Sequence, residues 1–290
     1  MVKVLVSDPI SDEGLEVLKQ GVEVDYLPDL TQKQLIAKIG DFEALMVRSK
    51  SKVTAEVINA GTKLRIIGRA GVGVDNIDVN AATQRGIVVV NSPEGNTIAA
   101  AELAFALMLA LARNIPQADA SLRSGEWERN KFIGTEVYKK TLGIVGMGRI
   151  GTEVAKRAKA FRMTVIANDP FLSEERSIEI GVESVSLEDL YKRSDFITLH
   201  VPKTPETAGM INAEAISMMK TGVRIINAAR GGIIDEEALA NAIKSEKVAG
   251  AALDVFSSEP PSADLDLINL SQDVVTPHLG ASTEEAQVLV

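Results

Sequence analysis

The sequence predicts an α/β protein built from two domains, each with a parallel sheet. Three observations support this prediction. Strand and helix patterns alternate along most of the 290 residues, as is typical of parallel sheets with helices on both faces. A glycine-rich turn between a strand pattern and a helix pattern lies near the middle of the chain, at Gly146–Gly151. A chain of this length is also long for one domain and comfortable for two.

The composition indicates an acidic protein with a sizeable apolar core. Hydrophobic residues make up 46% of the chain, and its net charge is −9 at pH 7. Because no basic tail or stripe is present, we expect neither a nucleic-acid partner nor a membrane partner. The absence of cysteine excludes disulfides, thiolate catalysis and cysteine-ligated metals, and we predict no metal site. Residues Met1–Asp8 are typical of a strand rather than a signal peptide, so we expect a cytoplasmic location.

The first part of the chain alternates strand patterns with helix patterns, which predicts a first parallel sheet. The strand patterns are Val2–Ser7, Val22–Tyr26, Ala44–Val47, Arg65–Gly68 and Ile87–Val90. The helix patterns are Ser11–Gln20, Thr31–Ile39 and Thr54–Ala60. A connector rich in helix breakers follows at Asn91–Asn96.

The most apolar stretch of the chain is Ile98–Ala112, interrupted only by Glu102. It is too short for a membrane span and carries a charge within it. Because it is apolar on all faces, it predicts a helix that is buried all round. We expect part of this burial to be against a second subunit; the alternative is burial wholly within the chain.

The second part of the chain predicts another sheet, of six strands, which is the size of a complete dinucleotide-binding sheet. The strand patterns are Leu142–Val145, Thr164–Asn168, Phe196–Leu199, Gly222–Asn227, Val248–Asp254 and Asp273–Thr276. The helix patterns are Arg149–Arg162, Leu187–Lys192, Ile211–Met218 and Glu236–Ser245.

Gly146, Gly148 and Gly151 form a G-x-G-x-x-G pattern between a strand and a helix, which is the context that makes the pattern informative. The first glycine permits a tight turn, and the second lets backbone N–H groups approach a pyrophosphate. The third lets the helix and strand pack closely, with the helix N-terminus facing the anion. The pattern predicts a dinucleotide-binding domain.

Asp169 follows the second strand of this domain. A carboxylate there can accept the ribose hydroxyls of an adenosine and would repel a 2′-phosphate. The sequence therefore favours NAD over NADP. Two alternatives are that Asp169 and Pro170 form only a turn, and that Arg176 softens the preference unless it lies on a solvated helix.

Three polar residues follow strands of the second sheet: Arg230, Glu259 and His278. Ligands of open parallel sheets bind at the carboxyl ends of the strands, so we expect these residues to converge on the cofactor. Arg230 can hold a substrate carboxylate, and His278 can exchange a proton with a carbonyl or hydroxyl oxygen. Glu259 can orient the imidazole and favour its charged form. This triad predicts carbonyl–alcohol interconversion with the cofactor.

Each member of the triad has a simpler interpretation as a surface arginine, a loop charge or a capping residue. The other histidine, His200, also ends a strand and precedes Val201. Because it has no obvious carboxylate partner downstream, we interpret it as structural or as lining the cofactor site.

Six segments carry a resemblance to a known family over essentially the whole chain. They are Gly68–Asp78, Asn91–Asn96, Gly125–Arg129, Gly146–Gly151, Asn227–Gly232 and Pro277–Thr283. On these segments the chain resembles the D-isomer-specific 2-hydroxyacid dehydrogenases, and among them most of all the phosphoglycerate branch. The segments are highly specific for the family and moderately specific for the branch.

The resemblance implies that an NAD-binding Rossmann domain is inserted into a flavodoxin-like substrate-binding domain. The expected boundaries are 1–96 with 281–290 for the substrate domain and 97–280 for the NAD domain. It also implies a homodimer formed through the nucleotide-binding domain. Family members continue beyond the helix in which Ala286–Val290 lies, some with a serine-sensing domain. We expect no feedback inhibition by serine through such a domain here.

The resemblance assigns roles to individual residues. It implies that Arg230, Glu259 and His278 are the catalytic residues, in agreement with the interpretation above. It also implies that Asp254 binds the carboxamide of the nicotinamide. Residues implied to bind the substrate acid are Arg48, Ser49, Arg69, Gly71 and Gly73. Residues implied to contact NAD are Val72, Gly146, Gly148, Arg149, Ile150, Gly151, Asp169, Val201, Ala228, Ala229, Asp254, Leu279, Gly280 and Ala281.

The expected reaction is the NAD-dependent oxidation of D-3-phosphoglycerate to 3-phosphohydroxypyruvate, the first step of phosphorylated serine biosynthesis. Two arginines beyond the catalytic one, Arg48 and Arg69, suit a phosphorylated acid, although both could instead pair with acidic surface neighbours. One alternative is another D-2-hydroxyacid dehydrogenase, such as a glyoxylate or hydroxypyruvate reductase or a D-lactate dehydrogenase. A further alternative, of a different class, is an NAD-sensing binding protein.

Overall fold

A computed structural model describes all residues from 1 to 290, and they form two compact units. The first unit comprises Met1–Asn96 and Ala281–Val290, and the second comprises Thr97–Gly280. No single helix is long and apolar enough to cross a membrane. One pair of consecutive helices, Thr97–Arg113 and Ile115–Arg123, reaches that length and apolarity only when joined, and is bent by 63° at the break.

Twelve strands form the two sheets. In chain order they are β1 Lys3–Val6, β2 Glu23–Tyr26, β3 Ala44–Val47, β4 Ile66–Arg69, β5 Val88–Asn91, β6 Thr141–Val145, β7 Thr164–Asn168, β8 Glu183–Ser184, β9 Phe196–Leu199, β10 Val223–Asn227, β11 Val248–Leu253 and β12 Val274–Val275.

The α-helices cover these sheets. In chain order they are α1 Asp12–Lys19, α2 Gln32–Lys38, α3 Ala55–Ala60, α4 Val79–Gln84, α5 Thr97–Arg113, α6 Ile115–Arg123, α7 Arg149–Ala160, α8 Glu174–Ile180, α9 Leu187–Arg193, α10 Ala213–Met218, α11 Glu236–Lys244, α12 Asp266–Asn269 and α13 Glu284–Leu289. Short 3₁₀ helices occur at Ile39–Asp41 and Arg129–Phe132.

The first unit is a five-stranded parallel sheet in the order β2-β1-β3-β4-β5. Its central strands are apolar and bury Leu5, Leu45 and Ile67, because helices cover both faces of a parallel sheet. The strand order is that of flavodoxin-like folds, which bind ligands beyond the carboxyl ends of their strands. The predicted fold class of this unit is confirmed.

The second unit is a seven-stranded parallel sheet in the order β12-β11-β10-β9-β6-β7-β8. The order reverses between β6 and β9, which is the Rossmann arrangement with one further strand beyond β11. A crevice is expected at the carboxyl ends of the strands where the order reverses. The glycine turn follows β6 there, and the predicted Rossmann fold is confirmed.

One prediction about the second unit was wrong. Its sheet has seven strands rather than six, because the two-residue edge strand β8 is too short to produce an alternating pattern. For helix α5, the alternative of burial wholly within the chain is excluded, and burial against a second subunit stays a prediction: Ile98 is 51% exposed, and Glu102 and Ala106 on the same side are also exposed. Their spacing of four residues places them on one face.

A buried carboxyl group, Asp273, lies just before β12. Its Oδ1 accepts a hydrogen bond from the backbone N–H of Ala251 at 2.8 Å, whereas its Oδ2 has no hydrogen-bond partner. Gln117 donates to the Asp273 carbonyl at 2.9 Å, and Gln117 Oε1 and Ser121 Oγ are also buried without partners. Burial raises the pKa of Asp273 to about 7, although the Ala251 hydrogen bond opposes the rise.

We expect Asp273→Asn to raise the free energy of unfolding at about pH 8 by roughly 1–4 kcal/mol. The folded protein keeps the Asp273 proton up to about pH 7, whereas the unfolded chain releases it near about pH 4. The wild type therefore loses stability as the pH rises between these values. Asparagine removes this loss and keeps an oxygen for the Ala251 N–H.

Urea unfolding of the wild type and the variant at several pH values measures this effect. The stability difference should shrink toward zero as the pH falls below about 4, where both states hold the proton. Asp264 is exposed, so Asp264→Asn is the control and should show no such dependence. A difference between wild type and Asp273→Asn that is independent of pH would contradict the prediction.

Candidate active site

The glycine turn between β6 and α7 has the geometry that its pattern predicts. Gly146 has φ +96°, and a Cβ added to it would lie 2.6 Å from the His200 carbonyl oxygen. A Cβ on Gly151 would lie 2.1 Å from the Gly146 carbonyl oxygen, so the helix packs directly on the turn. A Cβ on Gly148 would have no heavy atom within 4 Å. The open space is therefore at the glycine that a pyrophosphate approaches.

The N-terminus of α7 also suits an anion. The helix begins at Arg149, and its N-cap Gly148 has no side chain with which to cap the first turn. Backbone N–H groups of the first helical turn have no partner within the helix, and the helix dipole favours negative charge at this end. The turn and the helix together fit the pyrophosphate of a dinucleotide.

Asp169 directly follows β7 and is bonded to the glycine turn. Its Oδ2 accepts from the backbone N–H of Met147 at 2.7 Å, and its Oδ1 accepts from that of Phe171 at 2.7 Å. The two bonds hold the carboxylate beside the turn, where a ribose hydroxyl can reach its remaining lone pairs. Arg176 pairs with Glu179 at 2.5 Å on α8, on an exposed face, as the solvated-helix alternative predicts.

Glu259 and His278 form a close pair in the second unit. Glu259 Oε2 lies 2.7 Å from His278 Nδ1, and Glu259 Oε1 accepts from the backbone N–H of Phe256 at 3.2 Å. The carboxylate is thus held by the loop after β11 while it orients the imidazole. With Nδ1 engaged, Nε2 is the ring nitrogen that can exchange a proton with a substrate.

Asp254 holds the loop that carries His278. It is fully buried and accepts hydrogen bonds from Thr276 Oγ1 at 2.6 Å, from Leu279 N at 2.7 Å and from Gly280 N at 2.9 Å. Its carbonyl oxygen accepts from the His278 N–H at 2.9 Å, and His278 has φ +56°. Burial raises the pKa of Asp254, and the Thr276 and Leu279 hydrogen bonds oppose that rise.

Arg230 lies in a tight loop after β10. The buried Asn227 side chain holds this loop: Nδ2 donates to the Arg230 carbonyl at 2.9 Å, and Oδ1 accepts from the Ala229 N–H at 3.1 Å. A Cβ on Gly231 would lie 1.7 Å from the Phe256 carbonyl oxygen, so the loops after β10 and β11 touch. Because β10, β11 and β12 are neighbours, the structure brings the loops bearing the triad together.

His200 differs from His278 in its surroundings. Its Nε2 lies 3.0 Å from Thr198 Oγ1, and burial lowers its pKa to about 4. The ring is therefore neutral at neutral pH. This geometry agrees with the interpretation of His200 as structural or as lining the cofactor site.

The predicted acid-binding residues lie in the first unit, in loops after two paired strands. Arg48 and Ser49 follow β3, and Arg69 ends β4. Gly71 has φ +143°, and a Cβ on it would lie 2.3 Å from Arg69 Nη1, so the guanidinium group covers the glycine backbone. Gly73 completes this loop. The triad and the glycine turn belong to the second unit, and of the predicted NAD contacts only Val72 and Ala281 lie in the first.

Comparison with known proteins agrees with this geometry. Residues 105–280 match the family described as D-isomer specific 2-hydroxyacid dehydrogenase, NAD binding domain. The chain belongs to the D-isomer-specific 2-hydroxyacid dehydrogenase family. Residues 105–280 are the NAD-binding domain of this dehydrogenase family, and NAD is its cofactor.

Relatives of this chain were found by sequence and by structure. The D-3-phosphoglycerate dehydrogenases of Synechocystis sp. and Archaeoglobus fulgidus are 59% and 57% identical over 290 and 289 residues, which are 100% and 99% of this chain. The matched residues make up 52% and 55% of the length of those two proteins. The chain therefore spans about half the length of the curated relatives it matches. The crystal structure of the TT0316 protein from Thermus thermophilus has a TM-score of 0.91 at 34% identity and covers 99% of this chain and 92% of that one.

The sequence did not reveal the residues that hold the loops of the predicted site residues in place. Asn227, Thr276 and Asp8 were not assigned to any ligand from the sequence, and nothing in their spacing indicates a role. One signal was available: polar residues at the ends of buried strands need hydrogen-bond partners. No group of three or more histidine, aspartate or glutamate side chains could hold a metal ion.

Proposed function

We propose that this chain carries out the NAD-dependent oxidation of D-3-phosphoglycerate to 3-phosphohydroxypyruvate, the first step of phosphorylated serine biosynthesis. One observation supports it above the others: two arginines, Arg48 and Arg69, flank a glycine loop on neighbouring strands of the first unit. Two cations in addition to Arg230 suit an acid that bears both a carboxylate and a phosphate. The similarity to two D-3-phosphoglycerate dehydrogenases supports the same substrate.

The proposed roles follow from the geometry of the triad. Arg230 holds the carboxylate of the acid and polarises the adjacent C2–O bond. His278 Nε2 takes the proton of the C2 hydroxyl, and Glu259, 2.7 Å from Nδ1, stabilises the charge that the imidazole acquires. The chemistry that bound NAD would supply is acceptance of the hydride from C2. In the reverse direction His278 returns the proton to the carbonyl oxygen.

We propose that the substrate acid binds through the first unit, to Arg48, Ser49, Arg69 and the backbone N–H groups of Gly71 and Gly73. Successive N–H groups in a glycine loop form an anion-binding nest. The proposed contacts to NAD are Val72, Gly146, Gly148, Arg149, Ile150, Gly151, Asp169, Val201, Ala228, Ala229, Asp254, Leu279, Gly280 and Ala281.

An assay of NADH formation on a panel of D-2-hydroxy acids tests this function. We expect kcat/KM for D-3-phosphoglycerate to exceed that for D-glycerate and D-lactate by about 10²-fold or more, since the unphosphorylated acids leave cationic groups unpaired. Equal values would contradict the phosphorylated substrate. Binding of NAD without turnover of any acid would favour an NAD-sensing protein.

We propose that the protein is a homodimer formed through the second unit. Apolar side chains are exposed along its N-terminal segment, with Ile98 at 51%, Trp127 at 75% and Ile133 at 81%. Helix α6 packs against α5 and against the 3₁₀ helix at Arg129–Phe132. The segments that carry these exposed side chains are therefore connected. Exposed apolar surface of this kind marks an interface, and a second copy is the commonest partner.

Analytical ultracentrifugation tests the dimer. Ile133→Asp should shift the wild-type dimer toward monomer because it buries a charge in the interface. Ile178 on α8 is 72% exposed outside this segment, so Ile178→Asp is the control and should leave the mass unchanged. A monomeric wild type at micromolar concentration would overturn the proposal.

We also propose a cytoplasmic location, without nucleic-acid or membrane partners. The net charge of −9 argues against nucleic-acid and membrane partners, since anionic proteins are repelled by nucleic acids and by anionic membrane surfaces. The absence of cysteine fits a cytoplasmic location. Cell fractionation checks the location, and recovery with membranes would contradict it.

A further inference from the structure

One side-chain amide joins the two arginine loops of the first unit. Asn76 Nδ2 donates to the Arg48 carbonyl at 2.8 Å and to the Ser51 carbonyl at 2.7 Å. Its Oδ1 accepts from Arg69 Nε at 3.2 Å. The Asn76 side chain thus connects the loop after β3 to the guanidinium group at the end of β4.

These contacts use the full bonding pattern of a carboxamide. Both N–H groups go to carbonyls of the Arg48 loop, and the oxygen receives Arg69. A carboxylate could accept from Arg69 but could not donate to the two carbonyls, and an aliphatic side chain could do neither. The chemistry of the position therefore requires an amide rather than any polar residue.

The Arg48 loop is also held from a second direction by a buried carboxylate. Asp8 is fully buried and accepts from the backbone N–H of Arg48 at 2.6 Å. It also accepts from the N–H of Ser51 at 3.1 Å. Asp8 and Asn76 together leave the backbone of Arg48 little freedom, so the position of its guanidinium group depends on contacts along the side chain.

A second amide contacts the Arg48 side chain itself. Gln287 Oε1, on α13, accepts from Arg48 Nη1, and Gln287 Nε2 donates to the Ala281 carbonyl at 2.8 Å. The amide is therefore anchored at its nitrogen and presents its oxygen to the guanidinium group. Burial lowers the pKa of Arg48, and Asp8 opposes that change.

We propose that Asn76 and Gln287 are positioning residues that set the direction and separation of the Arg69 and Arg48 guanidinium groups. This inference rests on the proposed function. With Arg230 on the carboxylate, the phosphate of the acid is left to Arg48 and Arg69 together, so binding of the phosphorylated acid depends on the separation of these two guanidinium groups. An acid with one carboxylate depends on it much less, because it does not need both cations. The two amides thus set the preference for the phosphorylated acid.

Steady-state kinetics of Asn76→Ala and Asn76→Asp in the full chain test the proposal. We expect KM for D-3-phosphoglycerate to rise about tenfold or more, while KM for NAD and kcat at saturation change by about threefold at most. Asn76→Asp should also raise KM for D-3-phosphoglycerate, because its carboxylate would face the Arg48 and Ser51 carbonyl oxygens and could not donate to them. Asn80 is exposed on α4, so Asn80→Ala is the matched control and should behave as the wild type.

Gln287→Met, which keeps the length and removes the polar atoms, gives an independent readout if Asn76 variants fold poorly. It should raise KM for D-3-phosphoglycerate by about fivefold or more and KM for D-glycerate by less than about twofold. Thermal unfolding of every variant, with and without D-3-phosphoglycerate, separates folding from positioning. A positioning defect lowers the shift that the acid produces, whereas a folding defect lowers the melting temperature of the free protein.

The outcomes separate this inference from the proposed function. If the wild type does not prefer D-3-phosphoglycerate over D-glycerate, the proposed function fails. If the wild type shows the preference and Arg69→Met loses it, the function stands. Wild-type KM values in both Asn76→Asp and Gln287→Met would then overturn the positioning role. Equal rises in KM for NAD and for the acid would also overturn it, because they indicate a general structural defect.

Discussion

Replacement of His278 with glutamine is expected to lower kcat by about 10²- to 10⁴-fold, while the affinity for NADH stays close to that of the wild type. The reason is the pair that His278 forms with Glu259, at 2.7 Å. It engages Nδ1, so that proton exchange falls to Nε2. Glutamine keeps hydrogen-bonding capacity but cannot carry the proton between substrate and solvent.

Steady-state turnover and NADH fluorescence titration measure the two quantities. Glu259→Gln should reduce kcat by less, because an amide can still orient the imidazole although it no longer stabilises its charge. The opposite pattern, with turnover lost in His200→Gln and retained in His278→Gln, would show that the wrong histidine has been assigned. The lowered pKa of His200, about 4, argues against that pattern.

Replacement of Gly231 with alanine is expected to reduce kcat by about 10²-fold or more and to lower the free energy of unfolding by roughly 1–3 kcal/mol. The added Cβ would lie 1.7 Å from the carbonyl oxygen of Phe256 and 2.2 Å from its carbonyl carbon. Because these atoms are backbone, the clash cannot be relieved by rotation of a side chain. The loop that carries Arg230 must move away from the loop that leads to Glu259.

Turnover at saturating substrate and urea unfolding measure these effects. Gly21 has no heavy atom within 4 Å of an added Cβ and no positive φ, so Gly21→Ala is the matched control. Its stability should change by less than about 0.5 kcal/mol. Unchanged turnover in Gly231→Ala would mean that the two loops are positioned independently of each other.

The central strands of both sheets could be predicted from the sequence because their side chains are mostly apolar. Phe196–Leu199 was predicted at its observed bounds, and all four of its residues are buried. Edge strand β8 could not be predicted, since its two exposed residues have no apolar pattern. The glycine turn and Asp169 could be predicted because each follows such a strand directly, and the triad because its residues lie three to six residues beyond strand ends.

The sequence could not predict which surface buries each face of α5. Hydrophobicity reports what a helix must bury and not which chain buries it. The exposed Ile98 would be buried only against a second subunit, which is the expectation that we carry into the proposed dimer.

The sequence by itself determined the fold class, the cofactor pattern and the choice of the three side chains that we propose to react, because local periodicity and strand ends encode them. Only the tertiary structure decided how these side chains are held. Asn76 bonds loops separated by 25 to 28 residues, and Gln287 reaches Arg48 across 239 residues. Amides with such distant partners produce no repeating pattern in the sequence from which their role could be predicted. Their role becomes visible only when folding brings the partner atoms within hydrogen-bonding distance.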